Sequence, residues 1–119
     1  MRIIKFNHET HNILLESEDS ILTVNSKDIF VIEKNDEKTF LMMGENERFE
    51  IINTESEYAE LIKNVGFIQI HHKYAVNPEK IRAFKTKTLV IEIINNQQLP
   101  VNVQFKRNLI YSINQLNCR

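Results

Sequence analysis

Cysteine is nearly absent from this chain: Cys118, one place from the C-terminal residue, is the only one. No disulfide can close within the molecule, which fits a reducing cytoplasm. Two glycines and two prolines are all that occur in 119 residues. Turns must therefore rest on Asn, Asp and charged side chains, and no flexible linker divides the chain. One domain over 1–119 is expected, long enough to bury a core without metals or cross-links. The opening "MRIIKFNHETHN" holds no apolar segment of signal-peptide length, and no window approaches a membrane span. A cytoplasmic protein is expected. There is no Gly-rich phosphate loop and no convincing pairing of nucleophile with base, so neither catalysis nor a cofactor is expected. His8-Glu9-Thr10-His11 has two histidines at a metal-like spacing, but no third or fourth ligand is near. The adjacent His71 and His72 would point opposite ways on a strand, so no metal site is expected either.

What the sequence does have is a lopsided distribution of charge. Residues 1–60 carry fourteen acids and six bases, a balance of −8, whereas residues 61–119 carry two acids and nine bases, a balance of +7. The formal net charge of −1 conceals this. Such a molecule can turn a cationic side towards an anionic polymer while staying near neutral overall. Alternatively, the two halves interleave in space and the polarity partly cancels.

Strand-like stretches dominate the pattern. "RIIKF" (2–6) and "NILLES" (12–17) flank a turn-prone segment, and "SILTV" (20–24) leads into "DIFVIE" (28–33). "KTFLMMG" (38–44) and "ERFEII" (47–52) read as a hairpin around Gly44-Glu45-Asn46. Further strands are predicted at "FIQIHH" (67–72), "KIRAFK" (80–85), "TLVIEII" (88–94) and "QLPVNV" (98–103), with a tight turn at Asn95-Asn96. One segment (53–66) is helical. Thr54 and Glu57 make a capping box; Tyr58, Leu61, Ile62 and Val65 share a face; Gly66 supplies a left-handed stop. A weaker helix is predicted over 103–116, with Phe105, Leu109, Ile113 and Leu116 as its apolar stripe and Lys106 and Arg107 exposed. The fold class is mainly β, with one firm helix at about 54–65 and a second helical turn near the C-terminus.

"GFIQIHHKYAVNPEKI" (66–81) holds the most telling pattern, because His71, His72 and Lys73 interrupt an apolar run. A strand that only fills a core has no need of them. Phe67, His71, Tyr74, Val76, Asn77 and Ile81 fall at the spacing of the segment that follows the helix in LytTR DNA-binding domains. "DIFVIE", through Asp28, Ile29, Phe30, Ile32 and Glu33, matches that family's early strand, and Leu99, Pro100 and Val101 match its ending. From about residue 12 to about 112 the chain thus resembles the LytTR family of bacterial transcription regulators. The resemblance implies antiparallel sheets whose loops, rather than a recognition helix, enter successive major grooves of DNA. It also implies output domains of two-component response regulators that often bind paired direct repeats, and it allows a homodimer on DNA. No receiver domain is read in the chain, which leaves a stand-alone regulator or part of a longer protein.

The departures bear on function. The family's Arg and Ser after His are His72 and Lys73 here, and its Ser-Arg after Pro-Val is Asn102-Val103. Arginine grips guanine through two hydrogen bonds, which Val103 cannot do. Candidate DNA contacts are His72, Lys73, Asn77, Lys38, Thr39, Asn102, Lys106 and Arg107. Each has a plainer alternative. Asn77 precedes Pro78 and can simply stabilise a turn, and His71 can be a hydrogen-bonded structural histidine. Lys80, Arg82, Lys85 and Lys87 read as a solvated sheet edge sooner than as a phosphate-facing stripe. Sequence-specific binding of promoter DNA is the leading expectation. The rival is a LytTR-like module with little DNA affinity that acts on a partner regulator.

Overall fold

The structure is a computed structural model and describes residues 1–44 and 47–117. Glu45 and Asn46 of the expected hairpin turn, together with Cys118, lie outside the described residues.

Among the described residues, three antiparallel sheets and two α-helices make up the fold. The first sheet is a meander of β1 (Arg2–Phe6), β2 (Asn12–Glu16) and β3 (Ile21–Asn25). The central sheet has the order β6-β5-β4-β8-β7, built from β4 (Ile29–Asn35), β5 (Lys38–Met43), β6 (Arg48–Ile52), β7 (Ile68–Gln69) and β8 (Tyr74–Val76). The third joins β9 (Ile81–Lys85), β10 (Val90–Ile93) and β11 (Gln98–Pro100), with β10 in the middle.

Helix α1 (Glu55–Val65) forms where its caps demand. The Thr54 hydroxyl accepts the Glu57 N–H at 3.2 Å, and the Glu57 carboxylate accepts the Thr54 N–H at 2.9 Å. The Thr54 N–H foremost, and the Thr54 hydroxyl beside it, favour the ionised form of Glu57 and hold its carboxyl below its usual value. Gly66 closes the helix at φ 73°, a conformation in which a side chain would be strained. Helix α2 (Lys106–Asn117) follows a turn of 3-10 helix over Val103–Phe105.

Two apolar cores flank the central sheet. Ile13, Leu15 and Val24 of the first sheet pack with Leu41, Ile51, Tyr58 and Leu61. Ile91, Ile93 and Leu99 of the third sheet pack with Ile68, Ile70 and Leu109. Strand β4 serves both: Ile29 and Ile32 enter the first core, Val31 the second. An irregularity in its pairing with β5 between Ile29 and Val31 breaks the strict alternation. The acidic half of the sequence therefore builds mostly around one core and the basic half around the other, so the halves do not interleave thoroughly.

Several expected elements are shorter in the structure. The strand expected over 67–72 ends at Gln69, because the Ile70 and His71 amides both turn back to the Tyr74 carbonyl at 3.0 and 3.3 Å. The strand expected from 88 begins at Val90, after a turn at 86–89 in which Leu89 has φ 55°. The strand expected to reach 103 stops at Pro100. Asp28 belongs to a 3-10 turn (Ser26–Asp28) capped by the Asn25 side chain, not to the strand that follows. Asn96 takes φ 70° in the expected turn. Among the described residues no helix is long and apolar enough to cross a membrane.

Candidate nucleic-acid interface

The polar interruption at 71–73 is a tight turn. The Tyr74 N–H donates to the His71 carbonyl at 3.2 Å, which puts His72 and Lys73 at the two central positions, both exposed. His71 secures the turn from within: the Lys73 N–H donates to His71 Nδ1 at 3.1 Å. That bond needs a lone pair on Nδ1, hence the neutral ring with its proton on Nε2. Partial burial, with the neighbouring His72 and Lys73 charges, lowers the His71 pKa and favours the same state. The far side of the turn is tied to β4, where the Lys34 N–H donates to the Lys73 carbonyl at 2.7 Å.

A second segment grips this turn from thirty residues away. The side-chain oxygen of Asn102 accepts the His72 N–H at 3.1 Å, while its own N–H donates to the Ile70 carbonyl at 2.9 Å. The His72 ring then stands edge-on to Phe105, with centroids 5.8 Å apart. Asn102 makes no side-chain cap to the 3-10 helix that it precedes. Four residues after Asn102 come Lys106, half-buried rather than exposed as expected, and the exposed Arg107. Among the described residues, Lys73, Lys106 and Arg107 have no carboxylate partner, whereas Lys34, Lys38, Arg82 and Lys85 each have one.

The remaining expected contacts stand elsewhere. Asn77 is 4% exposed, with both ends of its amide committed. Its Nδ2 donates to the Ile29 carbonyl at 2.9 Å and its Oδ1 accepts the Glu79 N–H at 3.0 Å. It holds the Pro78–Lys80 turn at the opposite end of β8 from Lys73. Thr39 is fully buried and donates to Asn53 Oδ1 at 2.6 Å. Its backbone hydrogen bonds fix it in β5, so its hydroxyl cannot turn outward without breaking the strand. Neither side chain reaches the surface. Lys38 is exposed but 3.6 Å from Glu50. Arg82 and Lys85 converge on Glu92, and Lys80 lies over the Phe30 ring at 5.0 Å, which leaves strand β9 as a charged sheet edge.

Two participants escape a reading of the sequence. Phe105, expected in a core stripe, forms the platform for His72. Tyr58 lines a cleft of about 680 Å³ between the helices, with His72 and Asn108 also in its wall. Its buried hydroxyl has no hydrogen-bond partner among the described residues, and burial, aided by the Glu55 charge, pushes its pKa up to about 12.

The profile of the LytTr DNA-binding domain family matches residues 19–113, and the chain belongs to that family. It is a family of DNA-binding modules, not of enzymes. Among solved structures, the chain is similar to the LytTr DNA-binding domain of a Bacillus cereus protein described as a methyl-accepting/DNA response regulator. The identity is 20%, the match covers 87% of this chain and 96% of that one, and the TM-score is 0.67, so the two share a fold. No curated protein matches the chain.

Proposed function

We propose that this chain acts, as one domain, as the output module of a cytoplasmic bacterial transcription regulator that binds duplex DNA sequence-specifically. The turn at 71–73 and the segment 102–107 form the DNA-facing surface and approach the major groove. Lys73, Lys106 and Arg107 contact phosphates; His72 and Asn102 present donors and acceptors beside them. Thr39 is buried within β5 and Asn77 holds the turn at the far end of β8, so the proposed contacts do not include them, and Lys38 flanks the surface. The observation that carries this reading is the Asn102 clamp, which joins the turn carrying Lys73 to the remote segment that carries Lys106 and Arg107. Paired direct repeats would place two copies side by side on one target.

A second reading, a module that docks on a partner regulator, draws support from Tyr111, 63% exposed, and from the −8 balance of residues 1–60. Selection from random duplexes, followed by anisotropy titration at several salt concentrations, separates the two. The DNA reading expects a selected site whose affinity falls with salt. It also expects joint replacement of His72, Lys73, Lys106 and Arg107 by alanine to abolish that occupancy. A four-fold variant that binds like the parent overturns this surface; a parent that selects no site favours the partner reading.

A further inference from the structure

Val103 is the most exposed of the large apolar side chains among the described residues, at 72%. It follows directly on Asn102, whose side chain holds the His72 turn. With Lys106, Arg107 and Ile110 it lines a shallow notch of about 340 Å³. A branched aliphatic group here shares its notch with two cations. It gains nothing from phosphate or from the hydrogen-bonding base edges. In the major groove the apolar feature of a base edge is the C5-methyl group of thymine. Valine is also stiff about χ1, so it loses little freedom when it packs on such a target.

We infer that Val103 is a base-reading residue that selects a thymine through its methyl group. The inference rests on the DNA reading above and adds a base identity to it. The flanking cations hold the backbone, and the notch receives the methyl.

The test uses the full chain and the site it selects from random duplexes. Each thymine of that site is replaced in turn by deoxyuridine, which lacks only the methyl group. At one position the parent should bind about three- to fourfold more weakly, the factor one buried methyl supplies. At that position Val103→Ala should show a ratio near one, and at every other position the two proteins should respond alike. Because Val103 is exposed, the alanine variant should melt with the parent, which excludes misfolding as the cause. Specific binding without a Val103-dependent uracil penalty overturns this inference and leaves the DNA reading standing. Failure to select any duplex overturns both.

Discussion

Replacing Asn102 separates the two jobs assigned to it, holding a turn and standing among cations. Asn102→Ala removes the acceptor of the His72 N–H and leaves the backbone bond from residue 102 to the Ile70 carbonyl in place. One neutral hydrogen bond contributes about 0.5–1.5 kcal/mol net. The His72 amide is at an exposed site where water can replace the lost oxygen, so about 0.5–1 kcal/mol is expected. For a domain of this size that lowers Tm by roughly 2–4 °C. Asn102→Asp keeps an acceptor at the same place and should melt at or above the parent. It also sets a negative charge near Lys73, Lys106 and Arg107, offsetting about one phosphate contact. The slope of log affinity against log salt should then be shallower by about 0.9, whereas Asn102→Ala should keep the parent slope. Calorimetry and anisotropy titrations between about 50 and 200 mM salt read both quantities. If Asn102→Ala melts with the parent, the clamp does not hold the turn. If Asn102→Asp keeps the parent slope, the junction does not lie at phosphates.

Three more expectations come from single groups. Tyr58→Phe removes a buried hydroxyl that has no partner and should leave the protein as stable as the parent or up to about 2 kcal/mol more so; a clear loss in urea unfolding would mean that the hydroxyl is satisfied in solution. Thr54→Ala deletes the N-cap of α1 and should cost about 1 kcal/mol, so an unchanged urea midpoint would contradict the capping geometry. His71 should titrate below the ordinary value of 6.5 in an NMR pH series. Its contribution to stability is then fully present above 6.5 and is lost as pH falls through the lowered folded value. A midpoint at or above 6.5 would show that the ring does not accept the Lys73 amide.

Local signals were legible and distant ones were not. Thr54, Glu57 and Gly66 announce α1 because caps act within one turn, and the structure realises each contact. The family resemblance was readable from spacing in three short segments, and the matched range of 19–113 lies close to the expected 12–112. Ile70 looks like a strand residue and is fully buried, yet its amide closes a turn, a choice imposed by Tyr74 and Asn102. Thr39 is among the expected DNA contacts, but Asn53 satisfies its hydroxyl inside. Asn77 reads more readily as a turn anchor than as a base contact, and its bond to the Ile29 carbonyl, 48 residues away in sequence, fits the anchor. The meeting of Asn102 with the turn at 71–73 has no local signature, because it joins two segments through a single side chain.

The division of the molecule into an acidic part and a basic part, built largely around different cores, has a kinetic consequence. A duplex is a long rod of negative potential, felt over about a Debye length, roughly 10 Å at 0.1 M salt. A near-neutral body whose charge is shared unevenly between its two halves is hardly drawn towards such a rod, but it is turned by it. The molecule would arrive already facing the right way, and fewer collisions would be wasted on the repelled side.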